Sequence, residues 1–249
     1  MKITGIIPAR YESSRLPGKA LEMIGDKPMI MHVYEQAIKA EMISKVVVAT
    51  DDHRILDVLL EAGIPVVMTA RSHKSGTDRC HEAVTQLNED AEYIVNIQGD
   101  EPFIDPAQID LLARLCNGKN EIATLVTRLQ DDSDLQNPNI VKVVRSISGK
   151  ALYFSRSPIP YFRDPESSEW TSQFTYWRHL GMYAYRRDIL QEISALKSGK
   201  LESAESLEQL RWLENDFSIV TADTGISTLG VDTPDDLEKA RKIWEGKQN

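Results

Sequence analysis

The chain has 249 residues, 41% of them hydrophobic and 27% charged, enough for one large domain with a substantial core. A formal net charge of −9 repels nucleic acid polymers and anionic membranes, so neither is expected as a partner and any anion site must be a local basic pocket. Two distant cysteines, Cys80 and Cys116, both in stretches that read as helix, suit reduced thiols. With no secretory h-region and no bilayer-length apolar run, they lead us to expect a cytoplasmic protein.

The first element is an apolar run, Ile3–Ile7, that reads as a buried strand. It feeds a loop carrying three cations, Arg10, Arg15 and Lys19, with a Pro17-Gly18 turn just before Lys19. This is not a Walker A motif, because no Ser or Thr follows Gly18-Lys19 and the glycine spacing differs. A basic loop at the carboxyl end of a strand is where open α/β sheets hold anions, so a triphosphate or similar polyanion is expected there. The plainer alternative is a solvated basic turn.

Pro28–Ala40 reads as a helix with Pro28 in its first turn and Ile30, Val33, Ala37 and Ile38 on one face. Val46–Ala49 is a second strand, His53–Ala62 a helix and Pro65–Met68 a third strand. Ser75-Gly76-Thr77-Asp78 opens a helix that runs through Leu87. Tyr93–Ile97 is a fourth strand ending at Gln98-Gly99-Asp100-Glu101-Pro102. Asp105-Pro106 then caps a helix through Leu115. This alternation predicts an α/β fold with a Rossmann-like, doubly wound, mostly parallel sheet.

From about 122 to 185 the pattern turns β-rich. Ile122–Arg128, Val141–Val144, Ala151–Phe154 and His179–Tyr185 read as strands, with a hairpin at Ser148-Gly149. Phe162–Phe174 is polar and aperiodic and is expected to be a mobile loop. We read residues 1–249 as one domain with the 122–185 stretch as a smaller lobe within it. Glu205–Glu214 reads as helix. Thr233-Pro234-Asp235-Asp236 marks the start of a last helix that presents Leu237, Ala240 and Trp244 on one face.

Asp100 follows the fourth strand and Asp232 precedes the last helix, on the edge of the sheet that carries the basic loop. Brought together, they would bind Mg²⁺, a hard cation that takes few protein oxygens along with substrate phosphates. Taken singly, Asp100 could stabilise its turn and Asp232 could serve the helix terminus. A basic loop, a carboxylate pair and a parallel sheet together suggest nucleotidyl or phosphoryl transfer.

The stretches Ile7-Pro8-Ala9-Arg10-Tyr11 with Arg15-Leu16-Pro17-Gly18-Lys19, Ser75-Gly76-Thr77-Asp78-Arg79 and Asn96-Ile97-Gln98-Gly99-Asp100-Glu101-Pro102 closely match a known pattern. So do Ala151-Leu152-Tyr153-Phe154-Ser155-Arg156, Arg178-His179-Leu180-Gly181, Leu207-Glu208-Gln209-Leu210-Arg211 and Gly230-Val231-Asp232-Thr233-Pro234. In these the chain resembles the 3-deoxy-manno-octulosonate cytidylyltransferases, or CMP-KDO synthetases, over nearly its whole length. Ala20 and Asp78 depart from the residues usual there without removing a needed charge.

The resemblance implies a nucleotidyltransferase core, a homodimer and the reaction of CTP with KDO to CMP-KDO and pyrophosphate, with Mg²⁺, for lipopolysaccharide synthesis. It assigns Arg10, Lys19, Asp100 and Asp232 to catalysis, the last two as metal ligands. Ala9, Arg10, Arg15, Lys19, Arg71, Ser75 and Gly76 would hold CTP. Gln98, Arg156, His179, Tyr183, Glu208 and Gln209 would hold the sugar acid. From the residues alone His179 and Tyr183 could equally be core, Glu208 an ordinary helix-surface charge and Ser75-Gly76 a plain turn. An 8-amino analogue of KDO, a sialic acid, or a non-catalytic nucleotide-binding role are the alternatives.

Overall fold

The computed structural model describes residues 1–249 except 14, 89, 164, 165, 167, 168 and 249, with the side chains of 247 and 248 also left aside. Ser14 of the basic loop and four positions of the expected 162–174 loop thus lie outside the described residues. The chain divides into two compact units, Met1–Arg114 with Thr228–Asn249, and Leu115–Ser227.

The first unit is built on β1 (Ile3–Ala9), β4 (Lys45–Thr50), β5 (Val66–Met68) and β6 (Tyr93–Asn96), in spatial order β6-β1-β4-β5. All three pairings are parallel. β1 is almost continuously apolar and Ile3, Ile6 and Ile7 are buried, as befits a parallel strand covered on both faces. Reading the parallel strands in chain order gives 3-2-1-4, the doubly wound arrangement. Its strand order reverses between β1 and β6, and the crevice at that switch point is where such sheets bind ligands. A small antiparallel pair, β2 (Met23–Ile24) with β3 (Lys27–Pro28), follows the basic loop.

Helices α1 (Met29–Ala37), α2 (His53–Glu61), α3 (Gly76–Leu87) and α4 (Pro106–Ala113) connect these elements, and α10 (Pro234–Gln248) closes the unit. Their caps follow the sequence. Asp52, Ser75 and Asp105 accept hydrogen bonds from the first turns of α2, α3 and α4. Thr233 Oγ1 accepts from Asp236 N, and the Asp236 carboxylate takes the Thr233 amide in return, a reciprocal capping box. Leu237 and Ala240 of α10 pack with Ile24, Met29 and Val231, and Trp244 covers the cluster.

Three boundaries differ from expectation. Pro28 stands at the N-cap of α1, and the helix stops at Ala37, leaving Ile38 52% exposed instead of on the buried face. α4 ends before Cys116, which lies beyond the helix. That thiol is buried, and burial pushes its pKa up to about 12.

The second unit contains β7 (Ile122–Arg128), α5 (Asp132–Gln136), β8 (Lys142–Arg145), β9 (Ala151–Ser155), α6 (Trp170–Gln173), β10 (Trp177–Arg186), α7 (Arg187–Ser194), α8 (Lys200–Glu205), α9 (Gln209–Glu214) and β11 (Ile219–Asp223). β7 pairs antiparallel with β10 and parallel with β11, and β8 and β9 form the expected hairpin. α7 and β11 fall outside the elements read from sequence. Ile189, Leu190 and Ile193 make the buried stripe of α7. The end of the expected 162–174 loop is instead the short helix α6, because Trp170 is buried against Leu129, Leu135 and Tyr176. The single helix expected over Glu205–Glu214 is broken at Ser206, whose φ of 52° is left-handed.

Candidate active site

β1 delivers Ala9 and Arg10 to the switch point, and the chain then turns back through the basic loop. Gly18 N donates to Tyr11 O at 2.8 Å, closing that loop, and Gly18 adopts φ 72°, a conformation open to glycine at no steric cost. Lys19 begins a 3-10 turn, Lys19–Leu21. Its ammonium donates to Asp100 Oδ2 at 2.7 Å, Asp232 Oδ1 at 3.0 Å and Val231 O at 3.2 Å. Arg15 Nη2 lies 3.0 Å from Asp232 Oδ2. Burial alone would lower the Lys19 pKa, but Asp100 and Asp232 together outweigh it and hold the pKa above its ordinary value.

Backbone packing fixes where the carboxylates sit. Val231 N donates to Asp100 O at 2.8 Å, so the segment entering α10 is tied to the end of β6. A side chain at Gly99 would place its Cβ 2.6 Å from Pro8 O, so only glycine lets the Asp100 turn approach β1. Glu101 accepts from Thr228 Oγ1 at 2.6 Å.

These residues border two clefts that bring expected site residues together, beside a third lined by Arg10, Tyr11, Glu12, Ser13, Pro17 and Arg54. The first, about 210 Å³, is lined by Pro8, Ala9, Arg10, Ser13, Arg15, Lys19, Ala20, Gln98, Gly99, Asp100 and Asp232. It gathers all four expected catalytic residues, together with Ala9, Arg15 and Gln98. The second is lined by Pro8, Arg10, His73, Lys74, Ser75, Gly76 and Arg79, so Arg10 borders both. Arg71 lines neither cleft, and its Nε donates to Asp51 O at 3.2 Å. Reasoning from sequence overlooked His73, Lys74 and Arg79. The signal available was a second basic stretch, Arg71-Ser72-His73-Lys74, just ahead of a helix N-terminus. Arg79 is buried and bonds Asp51 Oδ2 at 2.7 Å and the Thr69 hydroxyl, joining the ends of β4 and β5.

The donor set suits a hard divalent cation. Two carboxylates converge on a single ammonium, and among the described residues no group of three or more His, Cys, Asp or Glu is poised for a metal. A cation held by this pair would draw its remaining ligands from substrate oxygens and water, the pattern typical of Mg²⁺.

The remaining expected sugar-binding residues lie in the second unit. Thr124 Oγ1 sits within hydrogen-bonding distance of the Leu180 and Met182 carbonyls and of His179 Nε2, at the β10 bulge between Leu180 and Tyr183. The His179 ring lies against Phe154 and Tyr183. Burial, with Arg178 nearby, lowers its pKa to about 3, so the imidazole is neutral. Burial also raises the Tyr183 pKa well above its usual value, and its buried hydroxyl makes no hydrogen bond among the described residues. An orphaned buried hydroxyl calls for a partner. Arg156 donates to the carbonyls of Pro138, Glu205 and Ser206, and Glu208 accepts from Arg211 at 2.7 Å. Gln209 is buried at the start of α9.

Known proteins align with this chain closely. A family model described as cytidylyltransferase matches residues 4–219. The 3-deoxy-manno-octulosonate cytidylyltransferase of Cytophaga hutchinsonii is 51% identical over 95% of each chain. That of Parabacteroides distasonis is 49% identical over 96% of this chain and 97% of its own. A solved structure of CMP:2-keto-3-deoxy-manno-octonic acid synthetase complexed with CTP superposes with a TM-score of 0.91 at 42% identity, covering 99% of this chain and 100% of that one.

Proposed function

Since the chain belongs to the 3-deoxy-manno-octulosonate cytidylyltransferase family, we propose that its first two clefts bind CTP and that it transfers the cytidylyl group to KDO. The products are CMP-KDO and pyrophosphate. The observation that carries the reading is the convergence of Lys19, Asp100 and Asp232 in one cleft with Arg10 and Arg15. The comparisons favour KDO over an 8-amino analogue or a sialic acid, and favour an enzyme over a mere nucleotide binder.

In this mechanism Arg10, Arg15 and Lys19 take the triphosphate, and their fixed charges stabilise the negative charge that develops on departing pyrophosphate. Ser75 and Gly76 border the second cleft, where cytosine and ribose would lie, and Arg71 would approach from the loop before them. Asp100 and Asp232 would hold magnesium, which supplies charge neutralisation and lowers the pKa of a hydroxyl in its reach. The oxygen of the sugar acid's anomeric C2 hydroxyl forms a bond to the α-phosphorus as the bond to pyrophosphate breaks, and its proton leaves to solvent.

Gln98, Arg156, His179, Tyr183, Glu208 and Gln209 recognise the acid. Arg156 answers its carboxylate through charge-assisted hydrogen bonds, and the orphaned Tyr183 hydroxyl supports a hydroxyl partner. Within a single nucleotidyltransferase domain, the 122–185 stretch serves sugar binding and the homodimer contact. The product's role is to feed lipopolysaccharide synthesis from the cytoplasm. No helix among the described residues is long and apolar enough to cross a membrane.

The test is pyrophosphate release from CTP and magnesium with KDO, 8-amino-KDO or N-acetylneuraminate, with Asp100→Ala as control. Release with KDO that is lost in the variant is expected. Release with none of the acids would refute the enzyme reading.

A further inference from the structure

The basic loop is braced from a helix that takes no part in the mechanism above. Asp52, the N-cap of α2, accepts Arg54 N at 3.0 Å and forks with the same residue's guanidinium, Nε to Oδ1 at 2.8 Å and Nη2 to Oδ2 at 2.7 Å. The fork fixes the plane of that guanidinium. The Arg54 side chain is 59% exposed, yet its Cζ lies 3.2 Å from the centroid of the Tyr11 ring. The same ring lies against the Gly18 turn, where an added Cβ would come 3.1 Å from its Cζ and Oη. Tyr11 O also accepts Gly18 N at 2.8 Å. Asp52, Arg54, Tyr11 and Gly18 thus form a line of contacts that ends at Lys19.

We propose that Arg54 and Tyr11 are positioning residues for nucleotide binding. Their stack sets the Gly18 turn, and the turn sets where the Lys19 ammonium and the neighbouring loop cations meet a triphosphate. The inference rests on the reading of the basic loop as the CTP site. A direct phosphate contact by Arg54, which borders a cleft with Arg10 and Tyr11, is the competing role that the variants below separate. The guanidinium is already neutralised by Asp52 and one of its faces is covered by the ring.

The two roles separate in Arg54→Lys, which keeps the charge and loses both the planar fork and the stack. CTP affinity is measured by calorimetry without any sugar acid, alongside steady-state kinetics, for Arg54→Lys, Arg54→Met, Tyr11→Leu and Tyr11→Phe. Thermal melts check folding, and the exposed Arg54 variants keep the test open if Tyr11→Leu fails to fold. Arg54→Lys, Arg54→Met and Tyr11→Leu are each expected to weaken CTP binding about fivefold, the size of one partly exposed cation–π contact, and to leave the KM for the sugar acid unchanged. Tyr11→Phe keeps the ring and is expected to bind like the parent. Wild-type affinity in Arg54→Lys or Arg54→Met, or an equal loss in Tyr11→Phe, overturns the proposal. If the parent binds CTP yet releases no pyrophosphate with any acid, the reaction assigned above fails while the binding comparison still decides the role of the stack.

Discussion

Replacing Lys19 with methionine should have opposite effects on metal binding and on turnover. The Lys19 ammonium lies 2.7 Å from Asp100 and 3.0 Å from Asp232, so it occupies the oxygens that a divalent cation would need. One charge pair at about 3 Å is worth about 1.4 kcal/mol even at the dielectric of water, and more at a partly buried site. Lys19→Met removes two such competing attractions and leaves the two carboxylates facing each other. Magnesium affinity without nucleotide should therefore rise at least about tenfold. Turnover should fall about 10²–10³-fold, because a fixed cation near the departing pyrophosphate is lost. Calorimetric titration of magnesium into the nucleotide-free parent and variant reads the first effect, and pyrophosphate release reads the second. Equal or weaker magnesium binding in the variant would refute the idea that Asp100 and Asp232 form one shared cation site.

Gly99→Ala should destabilise the protein by about 1–3 kcal/mol, because its Cβ would meet the Pro8 carbonyl at 2.6 Å and backbone cannot rotate away; an unchanged melting temperature would contradict this. His179→Gln should flatten the acid dependence of stability. Burial holds the folded imidazole pKa near 3, below the unfolded value of about 6.5, so protons favour the unfolded chain and stability drains away as pH falls between those values. Urea midpoints of parent and variant at about pH 7.5 and about pH 5.5 check the sign, and equal drops would refute it.

The core of the site could be read because its signals are local. A strand, a Pro-Gly turn and a lysine announce the loop, and two carboxylates stand beside predicted element ends. What sequence could not supply were facts set by distant partners. Ser206 turns left-handed in a stretch that reads as one helix, and its carbonyl accepts from Arg156 some fifty positions earlier. Trp170 looks like part of a polar loop until Leu129, Leu135 and Tyr176 bury it. Ile38 satisfies the helical period, but α1 ends one residue short of it. The roles of His179 and Tyr183 stayed divided between core and site for the same reason. Tyr183 is core-like in burial while His179 is only half-buried, and the Tyr183 hydroxyl lacks a partner among the described residues.

Lys19 and Asp232 are 213 positions apart in the chain, and the segment bearing Asp232 rejoins the first unit only after the whole second unit has been traversed. At roughly 5–20 residues per second of synthesis, the lysine is made on the order of ten to forty seconds before its second carboxylate exists. A nascent chain can already hold the parallel strands, the basic loop and Asp100, but the carboxylate pair is completed only after the second unit has been made. Chemistry on the nucleotide is thereby reserved for chains in which the second unit has been made in full.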